Sequence, residues 1–173
     1  AFQLRKQLGL PRDAFVDIVS LLELALPVID PSFNLLPVPD KELSGRYAET
    51  RPYEHAIYVK ESVYDAAIRG GGQARMILAH ELAHYLYHSP CEISFAYVNR
   101  NERLDSNVDP ERQADIFAAE FLAPSGELRG LSVSDVQRKF GVSALAAKNQ
   151  LRQASNIARR HASKKKRRSG PKA

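Results

Sequence analysis

The chain has 173 residues, 44% apolar and 26% charged, enough for one compact domain with a core of its own. Its net charge of +5 is concentrated: residues 159–173 carry eight Lys or Arg and no acid, which leaves −3 on residues 1–158 and removes overall basicity as an argument for a nucleic-acid-binding body. A single cysteine, Cys91, excludes an internal disulfide framework, and no apolar run nears the roughly 20 residues of a membrane span. Ala1 to Lys6 lack the apolar core of a secretion signal, so the expected compartment is the cytoplasm, with no membrane partner.

Residues 3–26 read as helical, with Pro11 or Asp13 opening the main helix and Pro27 ending it. Phe15, Ile18, Val19, Leu22 and Leu26 form its apolar stripe. Residues 28–60 predict a small, mostly antiparallel sheet, with strands at 33–38, 45–50 and 55–59. Ser62 is placed to cap a short helix over 63–68 that stops at Gly70-Gly71-Gly72. Those glycines lack the Lys-Ser/Thr of a phosphate loop and the spacing of a dinucleotide fingerprint.

A second helix is expected from about Gln73 to His88, then a polar loop over 89–109. Asp109 as cap and Pro110 in the first turn open the next helix, which ends before Pro124. Ser132 or Ser134 caps a helix reaching Phe140, Gly141 turns the chain, and Ser143 caps a longer helix to about Arg159. The Phe140-Gly141-Val142-Ser143 turn has the form found between the helices of a helix-turn-helix. The predicted organisation is a main domain over 1–131, a helical pair over 132–159 and a disordered basic stretch over 160–173.

The chemistry concentrates in His80-Glu81-Leu82-Ala83-His84. Residues four apart share a helix face, so His80 and His84 can hold one metal ion between them. Glu81 sits beside them, placed as general base for water at a zinc-peptidase site. Ile77, Leu78, Leu82, Ala83 and Leu86 mark the helix as buried, and polar groups there need partners or a metal. His88 continues the face, but two turns put it roughly 12 Å from His80 by rise, too far for one tetrahedral ion. It is read as a hydrogen-bonded residue at the helix end, and Cys91 as incidental.

A catalytic zinc site needs a third protein ligand. Glu111 and Glu120 lie on the next strong helix, about 180° apart around its axis. Glu111 is preferred because Asp115 lies one turn on, where it can accept a hydrogen bond from a ligand imidazole and fix its ring. Tyr53, His55 and Tyr64 are open candidates for stabilising an oxyanion.

With both halves in place, the chain resembles the ImmA/IrrE metallo-endopeptidases. The resemblance rests on Leu78-Ala79-His80-Glu81-Leu82-Ala83-His84, and on Glu111, Ala114, Asp115 and the run Phe117 to Leu122 before Pro124. It extends to Ala56-Ile57-Tyr58-Val59, Val63-Tyr64 and the Phe140 to Ser143 turn; Ala123 stands where the family often has Met. It implies an α+β, mostly helical, zincin-like domain with the small antiparallel sheet on its active helix. It implies zinc, with manganese as the alternative ion, held by His80, His84 and Glu111, with Glu81 as base. It also implies a bacterial or mobile-element regulator that cleaves a partner helix-turn-helix repressor or antitoxin. Two other expectations stand beside this: a regulator that binds its partner without catalysis, and a weak nucleic-acid contact through the basic stretch.

Overall fold

The computed structural model describes residues 1–87 and 109–168; the readings for His88, Cys91 and nearly all of the 89–109 loop lie outside them. In chain order the elements are α1 (Phe2–Gln7), α2 (Ile18–Ser20), a π turn (Leu21–Ala25), α3 (Leu26–Ile29), β1 (Asn34–Val38), β2 (Ala48–Arg51), β3 (Ala56–Lys60), α4 (Glu61–Ile68), α5 (Gly72–Tyr87), α6 (Pro110–Leu122), α7 (Val133–Phe140) and α8 (Ala144–Arg168). The architecture is α+β, mostly helical around a three-stranded sheet. No helix among the described residues is long and apolar enough to cross a membrane.

The amino-terminal region departs from the expected helical run over 3–26. Gly9, at φ +65°, and Pro11 break it after α1. The next helical stretch opens at Asp17, not Pro11 or Asp13: the Asp17 carboxylate accepts the Ser20 N–H at 3.1 Å. Phe15 therefore leaves the stripe and is 49% exposed, while Ile18, Val19, Leu22 and Leu26 stay buried. Pro27 does not end the helix, which runs on to Ile29. A proline ring clashes with the carbonyl four residues back, and the widened π turn just before Pro27 relieves that clash.

The sheet order is β1-β3-β2. β2 and β3 form an antiparallel hairpin, but β1 pairs with β3 in parallel, from Asn34 with Ala56 to Val38 with Lys60, so the sheet is mixed and not antiparallel. The chain crosses from β1 to the far edge before returning through the centre, which makes its two ends run the same way. β1 is an edge strand and tolerates Pro37. Ile57 and Val59 of the central strand are fully buried.

Ser62 does not cap α4. Its N–H and hydroxyl donate to Asp40 at 3.1 and 2.6 Å, so a carboxylate 22 residues away caps the first turn. Those bonds from Ser62 hold the Asp40 carboxyl below its usual range. Ser132 and Ser143 do cap their helices: Ser132 forms a reciprocal box with Asp135, and the Ser143 hydroxyl accepts the Ala146 N–H. α8 continues to Arg168, past its expected end at Arg159.

One buried cluster joins the sheet, α5, α6, α7 and the start of α8. Arg75, only 2% exposed, ties three parts of it together. Its guanidinium donates to the carbonyls of Phe140, Gly141 and Val16 and lies 3.9 Å over the Phe15 ring. Burial lowers its pKa from the free value. The glycine run does more than stop α4, where Gly70 takes φ +82°. At Gly72 a Cβ would sit 2.4 Å from the Val142 carbonyl carbon, so only glycine lets α5 start against the turn before α8.

Gly72→Ala is therefore expected to destabilise the protein by about 2 kcal/mol through overpacking against backbone. Gly126→Ala, with nothing within 4 Å, is expected to change stability little. Urea unfolding of both variants beside the wild type checks this, and equal midpoints would refute the packing role of Gly72.

Candidate metal centre

α5 and α6 pack on each other more extensively than any other pair of elements. Each buries two alanines one turn apart, Ala79 with Ala83 and Ala114 with Ala118. Small side chains let helix axes approach closely, which brings the polar groups flanking the seam within reach. Asp109 accepts the Glu111 N–H at 3.0 Å and Pro110 occupies the first turn, so the helix start that carries Glu111 is well defined.

The result is a cluster of His80, His84 and Glu111 whose candidate ligand atoms lie within 4.8 Å of one another. The two Nε2 atoms are 3.0 Å apart. Glu111 reaches both: Oε2 is 3.2 Å from His80 Nε2 and Oε1 is 3.3 Å from His84 Nε2. On the other side of the His80 ring, Nδ1 donates to Asp115 Oδ1 at 2.9 Å. That bond leaves Nε2 facing a carboxylate and a second imidazole. Three electron-rich atoms converge on a point that calls for a cation. Zinc bonds of about 2.1 Å at tetrahedral angles would separate two donor atoms by about 3.4 Å, a few tenths of an ångström more than the observed 3.0–3.3 Å. The residues therefore fit a divalent ion. The imidazoles are about one-fifth exposed and Glu111 about two-thirds, so the centre opens to solvent.

Glu81 lies on the face of α5 turned towards β2. Its Oε2 is 2.6 Å from Thr50 Oγ1, and its backbone carbonyl is 3.0 Å from the same hydroxyl. Thr50 thus holds Glu81 by side chain and main chain together. One turn on, fully buried Tyr85 donates to Asp30 at 2.5 Å, and His55 Nδ1 lies 3.3 Å from the same carboxylate oxygen. Burial pushes Asp30 up, but the bonds from Tyr85 and His55 prevail and hold it below the usual carboxylate range. At the end of α5, Tyr87 packs edge-on against Phe117 of α6 with ring centres 5.5 Å apart.

Glu111, not Glu120, lies beside the histidines. Glu120 accepts from Ser125 N, Gln150 Nε2 and Gln153 Nε2, which ties α6 to α8. His55 and Tyr64 are engaged with Asp30 and Glu23 respectively, and Tyr53 is 86% exposed in the turn before β3. Thr50 was not singled out in the sequence; a polar residue in a short edge strand carries no local mark of a partner 31 residues on.

The fold and its ligand cluster define a metallopeptidase-type domain with an α+β core. The comparison with protein families agrees: the peptidase family M78 domain, described as IrrE N-terminal-like, matches residues 36–152. The chain belongs to that family. No curated protein and no solved structure gives a significant match.

Glu111→Gln is expected to abolish stoichiometric metal binding, whereas Glu120→Gln should retain it. Asp115→Asn should weaken affinity by about 10- to 100-fold, the usual effect of removing a partner that orients a ligand histidine. Competition with a chromophoric chelator measures all three, and full affinity in Glu111→Gln would exclude this ligand set.

Proposed function

We propose that the protein is a zinc-dependent endopeptidase that cleaves a partner helix-turn-helix repressor or antitoxin, and so controls transcription. The observation that carries the reading is the convergence of His80, His84 and Glu111, with Glu81 next in sequence to His80 and fixed by Thr50. Family membership supports the peptidase chemistry, and the resemblance to ImmA/IrrE regulators supports the substrate class. Two imidazoles with one carboxylate favour zinc over manganese, which prefers oxygen donors.

An ion held by the three ligands supplies Lewis acidity to a peptide carbonyl and to water. His80 and His84 present lone pairs, with Asp115 fixing the His80 ring. Glu81 takes a proton from the attacking water as the new C–O bond forms. It returns that proton to the amide nitrogen as the C–N bond breaks, and the new carboxyl group passes its remaining proton to the amine, leaving a carboxylate and an ammonium. Thr50 restrains the carboxylate to the orientation that reaches the water, since its hydroxyl occupies one oxygen and leaves the other available.

Glu81→Gln is expected to lower cleavage by about 100-fold or more with metal binding intact, because the amide cannot accept the proton. The chain and its variant, each expressed in a bacterial host, are compared by mass spectrometry of newly formed protein N-termini. Cleavage of repressor-type proteins by the wild type alone supports the proposal, and equal cleavage by the variant would overturn it. On the substrate so found, Thr50→Val is expected to reduce kcat by about tenfold at full metal occupancy, the equivalent of one charge-assisted hydrogen bond of ~1.5 kcal/mol. An unchanged kcat would remove Thr50 from the mechanism.

A further inference from the structure

α8 begins packed on the body and then leaves it. Ala147 and Gln150 are buried, and Gln150 donates to the Ala123 carbonyl at 2.8 Å and to Glu120 at 3.1 Å. Leu151 and Ala154 are half-buried, but every residue from Ser155 to Arg160 is exposed. The helix nevertheless continues to Arg168, roughly 20 Å further by its rise. No acidic residue occurs in Ala144–Arg168, which holds nine Lys or Arg.

The cations are ordered on the helix. At about 100° per residue, Lys148, Arg152 and Arg159 fall within about 40° of one another. Ala147, Gln150 and Ala154, which face the body, lie at least about 100° away. All three cations are exposed, and among the described residues none is paired with a carboxylate. Elsewhere on the surface Arg46 and Arg51 pair with Glu49, Arg69 with Asp65, Arg138 with Asp135 and Lys139 with Asp13, while the unpaired Lys6, Lys41, Arg112 and Arg129 are scattered singly over other elements. Beyond Ala154 the sequence also sets like charges four apart, Arg160 with Lys164 and Lys164 with Arg168, which disfavours a helix with no counter-charge.

We propose that α8 is a DNA-binding arm, lying against duplex DNA with the Lys148, Arg152 and Arg159 stripe on its phosphates. A polyanion supplies the counter-charge that the helix lacks. A membrane surface is disfavoured because Ile157 is the only large apolar residue from 155 to 168, too little for an interfacial helix. A protein groove is disfavoured for the same reason: there are no apolar anchors at helical spacing. Among nucleic acids, the major groove of B-form DNA admits a helix, whereas that of A-form RNA is too narrow. The contact is to the backbone and independent of sequence. It stands apart from the metal centre and survives or fails separately from the peptidase reading.

The test is fluorescence anisotropy of a short labelled DNA duplex with the full zinc-loaded chain, titrated over a range of salt. The intact protein should bind with log affinity falling linearly in log salt. The triple variant Lys148→Gln, Arg152→Gln, Arg159→Gln should bind at least about tenfold more weakly, with the slope reduced by about 0.9 for each phosphate contact removed. The charge-preserving variant Arg152→Lys, Arg159→Lys should keep the slope, and unchanged zinc content should show that both variants fold. Absence of salt-dependent binding by the intact chain would overturn the proposal. So would an unchanged slope in the triple variant, or tighter binding to duplex RNA or to anionic lipid vesicles than to the DNA.

Discussion

The contact between α5 and α6 governs the molecule. Each helix carries two polar groups one turn apart, His80 with His84 and Glu111 with Asp115, flanking a pair of buried alanines. Larger side chains in the seam would push the helices apart and separate the carboxylate from the imidazoles. Held close, Glu111 meets both histidines and Asp115 meets the outer edge of His80. Two imidazole nitrogens and a carboxylate therefore face one another at 3.0–3.3 Å. A divalent cation placed between them would be held by all three groups.

The surroundings keep α5 from shifting along this seam. Near its start, Arg75 spends its donors on three backbone carbonyls from two distant parts of the chain, and Gly72 admits the turn before α8 at backbone contact distance. In the middle, Thr50 of β2 grips Glu81 by side chain and carbonyl. Towards its end, Tyr85 reaches Asp30 on one side and Tyr87 packs on Phe117 on the other. β2 thus fixes Glu81 while α6 brings Glu111 to the two histidines, from different sides of one helix.

The cluster of His80, His84 and Glu111 was legible in the sequence because it is written in helical spacing. His80 with His84 and Glu111 with Asp115 are pairs whose geometry follows from the helix repeat alone, and the same arithmetic set Glu120 on the opposite side. What escaped sequence reasoning depends on distant partners. Thr50 is recognisable only once β2 lies beside α5. Ser62 reads as a helix cap until Asp40 is seen to take its N–H. Pro27 reads as a stop, yet a π turn absorbs it. The parallel pairing of β1 was hidden for the same reason: strand propensity marks which residues extend, and not which neighbour they meet.

X-ray absorption at the zinc edge of the purified, zinc-loaded protein tests the central claim most directly. One zinc per chain is predicted, with light N/O donors at about 2.0–2.1 Å and the outer-shell scattering of two imidazole rings, and no stoichiometric zinc in Glu111→Gln. A wild-type protein that takes up no metal, or full zinc occupancy in that variant, would contradict it.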